Sequence, residues 1–262
     1  MPEVLVINPN TSPEMTAEIA ETAREAFGPG WNVITSNPTA GPASIESWFE
    51  ETLAATAMLG LVQDYPDVDG VVIACFGDPG LFALREILAV PVVALAEAAF
   101  VTAIQVGWRF GTLVGPVKDQ RLIENLLWTY GLERRSAGVA TLDLPVLDFH
   151  RDPAATRARL IAVSEELAAR GAESLILGCA GLTAFRPGLE AATGLPVIDP
   201  VAAACHQLTL LVTMGLCTAR PGLFAPPDPK RLDSLAALLS PAAAARLTAL
   251  AARGFRPADS TG

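Results

Sequence analysis

The sequence predicts an α/β fold made of two similar lobes, each with a mainly parallel sheet. If the lobes face each other, they enclose one cleft. Three observations point this way. Short β-branched runs alternate with Ala-, Leu- and Glu-rich segments at helical spacing, the signature of parallel-sheet α/β proteins. The pattern then occurs twice: "VLVINPN" leads to "VVIACFG", and "FGTLVGP" leads to "SLILGCAG". The intervals Asn8–Cys75 and Gly115–Cys179 are nearly equal, a weak internal repeat. Finally, each half ends its second run in one cysteine with a glycine two residues on: Cys75 with Gly77, Cys179 with Gly181.

The expected strands, in order, are "EVLVIN", "WNVITS", "GVVIACF", "VPVVAL", "FGTLVG", "AGVATL", "SLILGC" and "LPVIDP". Helical spacing runs from Pro13 to Ala26 and from Asp152 to Arg170. The segment "SLAALLSPAAAARLTALAARG" reads as a further helix, and "FRPADSTG" as a frayed end. The lobes are expected to comprise residues 1–97 with about 205–262, and residues 98–204.

Composition excludes several function classes. The chain of 262 residues is 51% hydrophobic, enough for a large core and against global disorder. Its net charge of -10 argues against a nucleic-acid partner, whose phosphates need clustered Lys and Arg. The start, "MPEVLVINPN", lacks the basic and apolar regions of a signal peptide. The longest apolar stretch is broken by Glu97 and Gln105, so no membrane partner is expected. Four cysteines in apolar runs fit reduced thiols in a cytoplasmic protein.

In parallel sheets, ligands collect beyond the carboxyl ends of the strands, where Cys75 and Cys179 both fall. Cys205 and Cys217 read as small buried hydrophobes. Asp78-Pro79 reads as the cap of a helix starting just past Cys75, whose dipole and free N–H groups would lower the thiol pKa. A phosphatase loop needs arginine six residues beyond the cysteine, where Leu81 and Phe185 stand instead. A Cys-His hydrolase needs an oriented base. His206 adjoins Cys205 on a helix and points away from it, and His150 reads as a surface loop residue. There is no paired CxxC spacing for zinc and no glycine-rich phosphate loop, so neither metal nor cofactor is expected.

Two thiols flanking one cleft suit stereoinversion: one takes a proton from one face of a carbon acid, and the other returns a proton to the opposite face. Backbone N–H groups of Phe76-Gly77 and Ala180-Gly181 are placed to hold the enolate oxygen.

"VINPNTSPEMT", "GPASIES", "ACFGDPGLFALRE", "PVVALAEAA" and "LGCAGL" together resemble the Asp/Glu/hydantoin racemase superfamily, and within it the hydantoin and allantoin racemases. The likeness runs from the first strand to about "LPVIDPVAAA". It implies two α/β lobes related by pseudo-twofold symmetry, with the active site in the cleft between them. It also implies cofactor-independent racemisation of a small cyclic amide there by Cys75 and Cys179, in a homo-oligomer. It further implies that Asn8 binds substrate or orients Cys75, and that Ser44 and Ile45 line the pocket. Phe76, Gly77, Ala180 and Gly181 would supply donors and walls.

Plainer readings stand beside these. Asn8 and Asn10 can satisfy the turn before a helix capped by Ser12, and Ser44 can cap a helix whose first turn holds Glu46 and Glu50. Asp78 and Asp199 read as caps. Glu97, a carboxylate in an apolar run, needs a partner and is expected to order the cleft. Other activities within the resemblance are maleate isomerisation, arylmalonate decarboxylation and amino-acid racemisation. Outside enzymes, the alternative is a two-lobed binding module with inert thiols.

Overall fold

In the first half of the chain, four apolar runs become β1 (Glu3–Ile7), β2 (Asn32–Ser36), β3 (Gly70–Ile73) and β4 (Val92–Ala94). They alternate with α1 (Pro13–Phe27), α2 (Trp48–Leu61), α3 (Leu81–Ile87) and α4 (Leu95–Val106). The second half repeats the order. Its strands are β5 (Phe110–Val114), β6 (Ser136–Thr141), β7 (Ser174–Leu177) and β8 (Val197–Ile198). Its helices are α5 (Val117–Thr129), α6 (Pro153–Ala169), α7 (Arg186–Thr193) and α8 (Pro200–Thr213). All eight expected strands are present. This computed structural model describes residues 1–227 and Ala245. The expected C-terminal helix and frayed end otherwise lie outside the described residues.

Each half forms one parallel four-stranded sheet, in the orders β2-β1-β3-β4 and β6-β5-β7-β8. Register pairs Val4 with Gly70 and Ile7 with Ile73 in the first sheet, and Phe110 with Ser174 and Leu113 with Leu177 in the second. The central strands β3, β5 and β7 are buried at every residue, which explains their unbroken apolar runs. In this strand order the chain leaves in opposite directions from the two central strands, opening a crevice beyond their carboxyl ends.

Two helices change partners across the molecule. After the first sheet, α4 packs onto β7 and β8 of the second; after the second sheet, α8 packs onto β3 and β4 of the first. They also pack on each other. One apolar core therefore runs through both lobes, taking in Val4, Val72 and Val93 from one sheet and Phe110, Val114 and Ile176 from the other. Phe100 of α4 lies at its centre, edge-on to Phe76 at 5.6 Å and stacked on Phe110 at 5.5 Å. Burying aromatic rings of this size contributes on the order of 2 to 3 kcal/mol each.

Candidate active site

Cys75 lies two residues beyond the last residue of β3, and Cys179 two beyond the last of β7. The repeat therefore delivers the two thiols to equivalent places. Both line a single cavity of about 600 Å³, counting its solvent-open mouth. The walls include Asn10, Met15, Ile45, Glu51, Phe76, Gly77, Asp119, Leu122, Ile123, Val146 and Ala180.

The local devices that hold the thiols differ. Cys179 is itself the N-cap of a 3-10 helix, Ala180–Phe185. Cys75 is followed by two turns, Cys75 to Asp78 and Asp78 to Leu81, before α3 begins at Leu81 with Gly80 as its cap. The expectation that Asp78 caps the helix following Cys75 is corrected here. Its carboxylate accepts from Ala96 N at 2.8 Å and Glu97 N at 2.9 Å, capping α4 instead, and from Tyr130 Oη at 2.7 Å. Asp78 takes the left-handed conformation, φ 49°, to aim that way. Asp199 does cap its own helix, accepting from Val201 N and Ala202 N.

The expected lowering of the thiol pKa is also corrected. Desolvation pushes Cys75 well above the ordinary thiol value, and the charges of Glu51, Cys179 and Asp78 add to it. Cys179 is pushed up to about 12, by burial first and then by the charges of Asp119, Glu46 and Glu18. Opposing this, the N–H of Gly77 faces the Cys75 sulfur and that of Gly181 faces the Cys179 sulfur. These two amides thus attend the thiols, where the sequence had them holding an enolate oxygen.

Among the residues expected to bind substrate, Ile45, Phe76, Gly77 and Ala180 line the cavity with the two cysteines. Gly181 acts through its N–H on Cys179. Ser44 is not part of the lining. Asn8 is fully buried behind the wall, where Nδ2 donates to Asn10 Oδ1 (2.7 Å), Thr16 Oγ1 (3.0 Å) and Ser12 O (3.2 Å). Asn8 therefore holds the loop, and Asn10 is the asparagine that reaches the cavity. The cap of α2 is Ser47, whose Oγ accepts from Glu50 N while the Glu50 carboxylate accepts from Ser47 Oγ and Glu46 N.

Sequence reasoning missed Glu51, on α2, and Asp119, in the first turn of α5. Burial raises both carboxyl groups to about 7, and at Asp119 the charges of Glu46, Glu51 and Glu50 contribute as well. Acidic first turns are common at helix starts, so no sequence signal separated these two from their neighbours. Glu97 finds its partner in Arg85, with Nη1 donating to Oε1 at 3.0 Å. His150 donates through Nε2 to Gly181 O at 3.0 Å and stacks on Phe185, bracing the segment after Cys179. His206 is exposed on α8, away from the cavity, while Cys205 beside it is buried. Cys217, expected to be buried, is an exposed thiol. Among the described residues, no group of His, Cys, Asp and Glu is arranged to hold a metal ion, and no helix is long and apolar enough to cross a membrane.

The sequence pattern of the Asp/Glu/hydantoin racemase family matches residues 4–208. A hydantoin racemase of Rhizobium meliloti is 38% identical over 225 residues, covering 85% of this chain and 93% of the relative. A hydantoin racemase of Paenarthrobacter aurescens is 37% identical, covering 87% and 98%. Among solved structures, the allantoin racemase of Klebsiella pneumoniae superposes with a TM-score of 0.83 at 36% identity, covering 92% of this chain and 100% of that one. With two parallel-sheet lobes, a matched thiol at the end of each third strand and likeness along most of its length, the chain belongs to the Asp/Glu/hydantoin racemase family and is an isomerase.

Proposed function

We propose that the protein inverts the C5 stereocentre of 5-substituted hydantoins or allantoin, with Cys75 and Cys179 as opposed acid and base. The observation that carries this reading is the placement of two thiols at equivalent strand ends on one cavity. The relatives named as hydantoin and allantoin racemases supply the substrate class.

In one direction the thiolate of one cysteine removes the C5 proton, and the C–H electron pair moves into the adjacent carbonyl to give an enolate. The thiol of the other cysteine then delivers its proton to the opposite face of C5. The roles exchange for the reverse direction, so no external reagent is consumed. A carbon flanked by a cyclic imide carbonyl is a stronger acid than the α-carbon of an amino-acid carboxylate, so a thiol base is adequate. Burial favours the neutral thiols, while the amides of Gly77 and Gly181 stabilise whichever sulfur becomes anionic. Ile45, Phe76 and Ala180 shape the walls and exclude water. The proposal includes no cofactor, and a homo-oligomer in the cytoplasm. A dianion such as maleate is disfavoured, because among the described residues no Lys or Arg lines the cavity.

Incubating each enantiomer in D2O with wild type, Cys75→Ser and Cys179→Ser tests this. Wild type should place deuterium at C5 of both enantiomers. Each single variant should lose racemisation while retaining exchange from at most one enantiomer. Absence of C5 exchange by wild type with every hydantoin and allantoin tried rejects the activity. Normal racemisation by either variant rejects the two-thiol mechanism.

A further inference from the structure

Glu51 and Asp119 enter the cavity from opposite lobes, and among the described residues no cationic side chain lines it beside them. The Glu51 carboxylate is pressed against Gly77, so closely that a Cβ added to that glycine would overlap its Oε1. Gly77 is the residue whose amide faces the Cys75 sulfur. Burial alone raises the Glu51 carboxyl group, with no hydrogen bond lowering it, and among the described residues the buried Oδ1 of Asp119 lacks a partner. Among the described residues, no Lys, Arg or His lines the cavity, and Asn10 is the remaining polar side chain there apart from the thiols. Lys118, next to Asp119, is exposed.

A carboxylate in a poorly hydrated cavity needs donors, and its penalty is relieved when a ligand brings N–H groups to it. The same carboxylate repels a ligand anion strongly, since low local polarity weakens screening. From this geometry we infer that Glu51 and Asp119 act as a charge filter across the cavity. They accept from the N–H groups of a neutral ligand and reject ligands that carry their own carboxylate to the thiols. The inference deepens the proposed function, since it assumes that this cavity receives the substrate. It narrows the substrates to hydantoins whose C5 substituent is neutral, such as an alkyl, aryl or ureido group. Hydantoins bearing a C5 acetate or propionate are excluded.

Two measurements test it, one independent of turnover. The first compares alkylation of each cysteine by neutral iodoacetamide and anionic iodoacetate at about pH 8, read by peptide mass mapping. Exposed Cys217 is the internal reference. Taking the ratio of the two rates at one sulfur cancels its own thiolate fraction. The amide-to-acid ratio at Cys75 and Cys179 should exceed that at Cys217 by at least about tenfold, the factor that ~1.4 kcal/mol of repulsion gives. Glu51→Gln and Asp119→Asn should each lower it several-fold, and the double variant should approach the Cys217 value.

The second compares racemisation of 5-isobutylhydantoin with that of hydantoin-5-acetate. Wild-type kcat/KM should favour the neutral compound, and the double variant should narrow the preference by about tenfold or more. Equal ratios at all three cysteines, or variants that leave both preferences unchanged, overturn the filter. The raised thiol pKa values slow both reagents alike, so the ratio is read after long incubation. Thiols that exclude even iodoacetamide at about pH 10 overturn the filter, because a closed cavity selects nothing. If alkylation shows the discrimination while no hydantoin is racemised, the filter stands and the proposed activity falls.

Discussion

Tyr130 Oη donates to Asp78 Oδ2 at 2.7 Å, joining the end of α5 in the second half of the chain to the loop that follows Cys75 in the first. The same carboxylate accepts from Ala96 N and Glu97 N, so one buried side chain fastens the Cys75 loop, the start of α4 and the end of α5. A non-glycine residue in the left-handed region costs about 1 kcal/mol, which three hydrogen bonds to one carboxylate readily offset.

Tyr130→Phe removes that strut without disturbing the ring, which packs edge-on to Phe82 and Phe100. Loss of a hydrogen bond to a buried carboxylate is expected to destabilise the fold by about 1 to 3 kcal/mol in denaturant unfolding. Because the freed loop carries Cys75, kcat for racemisation should fall by more than KM rises. Unchanged stability would show that the phenol contributes nothing to the junction.

Stability should depend on pH through three acids. Glu51, Asp78 and Asp119 are each raised to about 7, chiefly by desolvation. An acid whose folded-state pKa lies above its unfolded value binds its proton more tightly when folded. Folding thus takes up protons between about pH 4 and about pH 7, and these groups lose stability as pH rises through that window. Asp119→Asn deletes one such group. Its Tm should fall less between about pH 5 and about pH 8 than that of wild type, and parallel Tm curves would contradict the assignment.

Gly178, immediately before Cys179, lies against the backbone of β5. A Cβ there would sit 2.6 Å from Leu113 O and 2.7 Å from Val114 Cγ1. As β5 is a central strand, it cannot yield, and Gly178→Ala should cost about 1 to 3 kcal/mol and displace the thiol. Gly60→Ala is the matched control: the site is open, lies in α2, and alanine there should be neutral or gain up to about 1 kcal/mol. Thermal unfolding of both variants checks the contrast.

The parts legible in sequence were those fixed by local pattern. Parallel strands buried on both faces read as unbroken apolar runs, and the repeat placed Cys75 and Cys179 together. Features set by tertiary neighbours were not legible. Asp78 resembles a cap for the next helix, yet it caps α4, 18 residues beyond itself in the chain. Asn8 and Asn10 are the same residue type two positions apart, and only the turn geometry decides that Asn10 faces the cavity. The thiols precede helix-start signals, but desolvation outweighs the favourable amides, and its extent depends on both lobes closing around them. Glu51 and Asp119 look like ordinary helix carboxylates until α2 and α5 are brought across from each other.

The exchange of α4 and α8 between the sheets makes the molecule a gauge rather than a clamp. Each lobe is covered by the helix that belongs in sequence to the other, and the core beneath them is continuous. A hinge that parted the lobes would strip apolar surface from both sheets together, at about 25 cal/mol for every Å² bared. The span between the two sulfurs is therefore set when the chain folds, before any ligand arrives. Under the proposed two-thiol mechanism, a substrate is measured against that spacing, and the carbon that inverts must fit between the two sulfurs.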